Sequence, residues 1–368
     1  MKNSIFPLLL IAAMCSAMQS WGCTGITLRS AQNETVTART IEWAGEPLNS
    51  YYVIVPKGHR QQSYLPDGQQ EGLVFRAKYG YVGLAVEQPE FVMDGINEAG
   101  LAAGLFYFPS YGEYEPYDSA WKYQSISDFQ LVAWMLSCCS SIAEVEAGMQ
   151  QIHVISIDPR SSTVHWRVTE PNGRQVVIEI AGGEVHFYDN PLGVLTNSPD
   201  LPWHLKNLNN YVNLQQGSAP PQSLGPLKLR AFGGGSGMMG LPGDMTPPSR
   251  FVRAAMFQST APKLADAQAT VYQALHLLNN FDIPIGLQTT VGMPVPDQPS
   301  ATQWTVATDL SHRCIYYRTM YDATIRRIDL SRIDFRKVSY QSGPLDKQKR
   351  ERVVDLVFGN DSEAVANR

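Results

Sequence analysis

The chain has 368 residues, of which 44% are apolar and 17% charged, and its formal net charge is −5. That composition excludes a disordered chain and allows a large core, in one domain or two. The acidic balance and the lack of a Lys/Arg cluster exclude nucleic acid as the main partner.

The first 22 residues read as a removable secretory leader. Lys2 supplies a positive start, Ile5 to Met14 is a short apolar run, and Ser20 and Gly22 are the small residues at the third and first positions before Cys23. That is the layout a signal peptidase cuts. The run is too short to span a bilayer, and no later segment reaches about 18 apolar residues. The expectation is a periplasmic or secreted protein with no membrane anchor. Cleavage before Cys23 leaves a thiol and a free α-amine on one residue, so a nucleophile and a built-in base sit side by side. Two other readings of Cys23 stay open locally. A lipid anchor conflicts with Ser20, which stands where a lipobox has an aliphatic residue. A buried or disulfide-bonded cysteine would fit an exported binding protein without catalysis.

Strands are expected at Cys23 to Leu28, Thr35 to Ala38, Tyr51 to Pro56, Tyr79 to Val86 and Ala102 to Phe108, separated by turn residues such as Ala31-Gln32-Asn33-Glu34. Ser125 to Ser137 reads as the first helix, with Ile126, Phe129, Val132 and Leu136 near one face, and Ile142 to Gln150 as the second. Strands resume at His153 to Ile157, Ser162 to Thr169 and Gln175 to Ile180, the last two joined by the hairpin signal Pro171-Asn172-Gly173. Gln215 to Gly225 reads as a surface loop, Ser249 to Ser259 and Ala265 to Asn279 as helices, and Gln303 to Asp309, Cys314 to Thr319 and Thr324 to Asp329 as a final strand group. Grouped rather than alternating elements imply segregated sheets with helices, an α+β chain and not a series of βαβ units. No repeat or linker divides it, so one domain is expected over 23–342, with a charged and loosely held tail over 343–368.

Several signals fail their context. Gly235-Ser236-Gly237-Met238-Met239-Gly240 fits G-x-G-x-x-G but leads into Leu241-Pro242-Gly243 and not a helix, so it reads as a turn. No G-x-S-x-G elbow exists, because Met238 takes the last glycine position. Asn33-Glu34-Thr35 matches a glycosylation sequon by pattern and reads as a turn. Four cysteines remain after the leader, too few for a disulfide framework, and adjacent Cys138 and Cys139 read as core residues. Seven histidines lack ligand spacing, so neither a metal nor another cofactor is expected.

Three segments carry candidate chemistry beside Cys23. In Arg39-Thr40-Ile41-Glu42-Trp43, a strand beside the one starting at Cys23 brings Arg39 near the thiol, where a guanidinium favours thiolate. The plain alternative is a surface ion pair between Arg39 and Glu42. Asn197, in Leu195-Thr196-Asn197-Ser198-Pro199, offers an amide suited to an oxyanion, or is a turn residue. Arg250 falls in the first turn of a helix, where a cation opposes the helix dipole, which favours a tertiary role.

These segments, with Cys23-Thr24-Gly25, Asp94-Gly95-Ile96-Asn97-Glu98-Ala99-Gly100-Leu101, Asn190-Pro191 and Leu241-Pro242-Gly243-Asp244, follow one order from the mature start to past the midpoint. In that order they resemble the choloylglycine hydrolase family, which contains bile salt hydrolases and penicillin V acylases. The resemblance implies the N-terminal-nucleophile hydrolase fold, a four-layer αββα sandwich of two antiparallel sheets between helix layers. It implies Cys23 as nucleophile, its α-amine as proton acceptor, Arg39 beside the thiolate, Asn197 in the oxyanion hole and Arg250 as a second site arginine. Glu42 stands where the family has aspartate, one methylene longer, so its contact with the α-amine must be re-aimed. Phe106, at a position where the family carries a side-chain donor, has none, so a backbone N–H or Tyr107 must supply the second oxyanion donor. Trp43, Phe106 and Tyr107 are the expected substrate contacts for a large apolar acyl group. The expected partner is a small-molecule amide: a conjugated bile acid first, penicillin V second, a long-chain acyl-homoserine lactone third. The resemblance also implies a homotetramer.

Overall fold

The computed structural model describes residues 22–158 and 162–356. Of the expected leader only Gly22 falls among them; the rest, and tail residues 357–368, lie outside the described residues.

Two antiparallel sheets carry the fold. The first is formed by β1 (Cys23–Arg29), β2 (Thr35–Glu42) and three late strands; the second opens with β3 (Ser50–Val55), β4 (Tyr81–Val86), β5 (Val92–Asn97), β6 (Ala102–Tyr107), β7 (Val164–Thr169), β8 (Gln175–Ala181) and β9 (Glu184–Asp189). The late strands β10 (Thr302–Asp309), β11 (Cys314–Thr319) and β12 (Arg326–Asp329) complete the first sheet, and β13 (Gln341–Pro344) closes the second. Their orders are β1-β2-β10-β11-β12 and β9-β8-β7-β6-β5-β4-β3-β13. Of the helices α1 (Leu131–Cys138), α2 (Ile142–Met149), α3 (Leu201–Asn207), α4 (Pro247–Thr260) and α5 (Ala267–Leu278), the last two pack on β1, β2 and β10, and α1 packs on β5 and β6. This is the α+β architecture of two stacked sheets flanked by helices that the resemblance implied.

The pairing of β1 with β2 sets the site. Cys23 lies opposite Ile41 and Gly25 opposite Arg39, and paired residues share a face. Both faces of β2 are covered, so all eight of its residues are buried, five of them polar or charged: Thr35, Thr37, Arg39, Thr40 and Glu42. Arg39 and Glu42 point to opposite faces by the period of two. Arg39 faces the second sheet, where its Nη1 donates to the carbonyls of Met93 on β5 and Leu105 on β6.

Several elements differ from the sequence expectation for identifiable reasons. The helix expected from Ser125 begins only at Leu131; Ser125–Ser127 pairs in parallel with His153–Ile155, and buried Asp128 accepts from the N–H groups of Phe129 and Ile157. Tertiary pairing overrides helical spacing there. Strands β5 and β9 and helix α3 are additions. Edge strand β9 is largely exposed and carries little apolar alternation; α3 is short and capped by Asp200, whose carboxylate accepts from Trp203 N at 2.7 Å. The loop expected over Gln215 to Gly225 contains half of a small exposed hairpin, Gln222–Leu224 with Leu227–Leu229. The tail is held further than expected: β13 takes in Gly343 and Pro344, Leu345 is in the core, and Asp346 pairs with Arg326 at 2.6 Å. Asn33 turns the chain at φ 65°, in the loop between β1 and β2.

Gly25 is required by the closeness of the sheets. A Cβ there would lie 2.8 Å from Arg167 Nη1 and 2.9 Å from the Phe106 ring. Gly25→Ala is expected to cost about 1–3 kcal/mol by overpacking, read as a lowered Tm in thermal melts, with activity falling in step because the displaced Phe106 ring packs on Arg39.

Candidate active site

The site sits at the start of β1, where five elements converge. Arg39 Nη2 donates to Cys23 Sγ at 2.9 Å. Its Nε and Nη1 hydrogens are fixed on the carbonyls of Thr40, Met93 and Leu105, and the Phe106 ring lies 4.1 Å from its centre. The cation is therefore clamped by backbone on both sheets and cannot turn away from the sulfur. Arg39 and Glu42 form no ion pair with each other, and both are fully buried, so the surface-pair reading does not hold. Cys23 is a free thiol, as are Cys138, Cys139 and Cys314.

Asn197 meets Cys23 from the other side. The chain at 193–197 is joined to β1 by an isolated β-bridge, with Gly25 N donating to Leu195 O at 2.7 Å and Leu195 N to Gly25 O at 3.1 Å, and by the Thr27 hydroxyl, which donates to Gly193 O at 3.2 Å. This puts the Asn197 carboxamide against the first residue of β1. Its Oδ1 accepts from Cys23 N at 3.0 Å and from Arg250 Nη2 at 2.6 Å, and its Nδ2 donates to Tyr107 O at 2.7 Å. One Nδ2 hydrogen remains beyond that bond. The Tyr107 backbone N–H is hydrogen-bonded to the Cys23 sulfur. Tyr107 thus offers a backbone donor beside the sulfur, and Phe106 is fully buried, packed against Arg39 and Arg167.

Arg250 sits one turn into α4, whose start is set by Pro247 and Pro248 and by Asp244, which accepts from Thr246 and Ser249. Its Nη1 donates to Cys23 O and to Thr24 Oγ1 at 2.9 Å. The cost of a cation in a first helical turn is offset by these acceptors and by the field of Glu42. Burial pushes the Arg250 guanidinium below its usual value nonetheless.

Glu42 occupies the helix-side face of β2. Burial pushes its carboxyl up to about 7, against the pull of Arg250, a hydrogen bond from Thr40 and the pull of Arg39. Its Oε2 is buried without a hydrogen-bond partner among the described residues. That oxygen faces the residue preceding Cys23: a side chain at Gly22 would come within 3.3 Å of Glu42 Oε2 and 3.2 Å of Gln288 Nε2. Gly22 still precedes Cys23 here, with its carbonyl accepting from Glu42 N at 2.9 Å. Gln288, also with a buried unpaired oxygen, has no sequence signal that singles it out. Trp43, an expected substrate contact, is buried next to Glu42, with its carbonyl held by Gln298 and Gln303. Tyr107 is half-buried at the end of β6.

A second ionic group lies behind Arg39. Asp94 on β5 and Arg167 on β7 are both buried and interact electrostatically. Burial pushes Asp94 up to about 6, against the pull of Arg39 and then Arg167, and pushes Arg167 down to about 10. Two cations against one buried carboxyl keep this layer positive beneath Cys23.

The sequence model of linear amide C–N hydrolases, choloylglycine hydrolase family, matches residues 23–343. The chain belongs to the choloylglycine hydrolase family. It is therefore a hydrolase of linear amide C–N bonds. It is 30% identical over 319 residues to the bile salt hydrolase/transferase of Clostridium perfringens, covering 84% of this chain and 93% of that protein. The bile salt hydrolase/transferase of Lactiplantibacillus plantarum is 30% identical over 285 residues, 75% and 85% of the two chains. A crystal structure of a mutant conjugated bile acid hydrolase from Clostridium perfringens superposes with a TM-score of 0.78 at 27% identity, over 91% of this chain and all of that one. The penicillin V acylase of Agrobacterium tumefaciens shares the fold, with a TM-score of 0.68 at 20% identity, over 87% of this chain and 90% of that one.

Burial raises the Cys23 thiol, and Arg39 is the largest opposing influence, ahead of the Tyr107 N–H and Arg250. Removing Arg39 leaves desolvation unopposed by its main cation, so the thiol rises further and less thiolate is present at neutral pH. Arg39→Leu is expected to slow alkylation of Cys23 by iodoacetamide at about pH 7 by roughly tenfold or more, because the thiolate fraction falls about tenfold each time the thiol pKa climbs by about one. The rate recovers as pH is raised.

Proposed function

We propose that the protein is an exported hydrolase of conjugated bile acids, acting through a Cys23 thiolate at the mature N-terminus. The observation that carries the reading is convergence on one residue: Arg39 and the Tyr107 N–H on the sulfur, Asn197 Oδ1 on the nitrogen, and an unpaired Glu42 oxygen beside the position that processing vacates. With residues 1–22 removed, the Cys23 nitrogen becomes an amine whose ordinary pKa is near 7.7–8.0. Glu42 and Asn197 then orient it, and its lone pair takes the thiol proton directly or through one water.

The thiolate attacks the amide carbonyl and forms the S–C bond. The oxyanion takes the Tyr107 N–H and the free Nδ2 hydrogen of Asn197. Collapse breaks the C–N bond, and the proton held by the α-amine passes to the leaving nitrogen. Water then attacks the thioester, gives a proton back toward the sulfur, and releases the acid.

Bile acids are favoured over the other amides by the two 30%-identical bile salt relatives and by the surface at the site. The loop that brings Gln288 to Gly22 also exposes Leu287, Val291, Met293 and Val295, an apolar strip suited to a steroid. Arg250 brings positive charge for the carboxylate or sulfonate of a glycine or taurine leaving group. We place the protein in the periplasm or outside the cell on the strength of the leader, and as a homotetramer on the family resemblance; light scattering on the purified enzyme tests the latter.

N-terminal sequencing of the exported protein is expected to begin at Cys23, and Cys23→Ala to abolish turnover. Initial rates with one preparation should rank glycocholate and taurocholate above penicillin V and a long-chain acyl-homoserine lactone. A start at another residue, turnover by Cys23→Ala, or equal sluggishness on all four amides overturns the reading.

A further inference from the structure

Two buried histidines that the mechanism does not use lie directly behind the Asn197 backbone. His204, the fourth residue of α3, is fully buried, and its Nε2 lies 2.8 Å from the Asn197 carbonyl oxygen. A carbonyl only accepts, so Nε2 carries the hydrogen and donates. Its Nδ1 is buried with no hydrogen-bond partner among the described residues. The imidazole stacks on Phe251 with centroids 4.5 Å apart and planes 10° apart. Burial holds it neutral, with its pKa pushed down to about 4. His165 on β7 faces the preceding carbonyl, its Nε2 lying 3.4 Å from Thr196 O, while Nδ1 lies 3.1 Å from Glu179 Oε1. Glu179 in turn accepts from Leu201 N at 3.0 Å, at the start of α3.

Leaving an imidazole nitrogen unpaired in the core costs free energy, so a ring serving only to fill space would be better replaced by an apolar one. What the ring reaches explains its presence. Asn197 Oδ1 has to meet both Cys23 N and Arg250 Nη2, and its Nδ2 has to meet Tyr107 O. Asn197 rides on a segment with one bridge to a sheet, and Arg250 rides on α4. His204 touches both carriers: it hydrogen-bonds the Asn197 backbone and stacks on Phe251, the residue after Arg250.

We propose that His204 is a positioning residue for amide hydrolysis: its Nε2–H locks the Asn197 backbone against α4, and so fixes the carboxamide that faces the oxyanion and the Cys23 nitrogen. His165, braced by Glu179, holds the preceding peptide unit in the same way. The proposal rests on the reading of Asn197 as an oxyanion donor, and the test separates the two.

In the mature enzyme, His204→Phe keeps the ring and its stack and removes the donor. The expected result is a fall in kcat of about 10²-fold, the cost typical of a small misplacement of a catalytic group, with KM within twofold. Alkylation of Cys23 by iodoacetamide passes through no oxyanion, so its rate is expected to stay within twofold. His204→Gln, which restores a side-chain N–H donor, is expected to recover most of kcat. A kcat within threefold of the parent in His204→Phe, or kcat and alkylation falling together, overturns the proposal. Where His204→Phe does not fold, His204→Gln against His204→Met decides: equal losses of kcat overturn it, and retention only with Gln supports it. If Asn197→Leu itself retains kcat, the oxyanion reading fails and the positioning role falls with it. Loss of kcat in Asn197→Leu with none in His204→Phe rejects the histidine alone.

Discussion

The structure depends on one buried cation. The Arg39 guanidinium lies between the two sheets, and it is tolerable there because all but one of its N–H groups are taken up by Thr40, Met93 and Leu105 carbonyls and by the Cys23 sulfur. Each acceptor belongs to a different stretch of chain. The spacing of the sheets, the register of β1 on β2 and the ends of β5 and β6 all have to be correct for the charge to be solvated by protein. The Cys23 sulfur is one of the acceptors that satisfy it, so site geometry and core integrity are the same requirement.

Strand β2 divides the chemistry between its faces. On the sheet side, Arg39 acts on the sulfur, with Phe106, Arg167 and Asp94 beneath it. On the helix side, Glu42 addresses the residue before Cys23, and Arg250 of α4 takes the Cys23 carbonyl and Thr24 hydroxyl. Cys23 therefore presents its sulfur to one layer and its main chain to the other. A positively charged layer beneath the thiol and a carboxyl beside the nitrogen are kept apart by the thickness of one strand, which stops them from neutralising each other.

Much of this was legible in the sequence where the signal is a side chain in a strand or beside a turn. Cys23, Arg39, Glu42, Asn197 and Arg250 are five such residues, and the structure gathers them at one point. The segregated strand groups followed from turn residues such as Pro171-Asn172-Gly173. The lack of a side-chain donor at Phe106 pointed to a backbone N–H or to Tyr107, and the Tyr107 N–H is the group found at the sulfur. What escaped has no side-chain signature. His204 and Gln288 are single polar residues whose meaning lies in what they touch across long sequence separations. Strand β9 lies at a solvent edge, where alternation is weak, and Ser125 to Gln130 carries helical spacing that partners at Leu73, Ser63 and Ile157 redirect.

The backbone of Tyr107 has a further consequence. Its N–H faces the Cys23 sulfur while its carbonyl accepts from Asn197 Nδ2. Both groups are aimed by the length of β6 alone, since they belong to the final residue of that strand. A strand presents a given face only at every second residue. Lengthening or shortening β6 by one residue would turn the backbone groups of this residue over and remove a donor and an acceptor together, while every side chain named in the site kept its identity. Length variation among descendants of this chain should therefore gather in the loop after Tyr107 and spare the stretch from Ala102 to Tyr107.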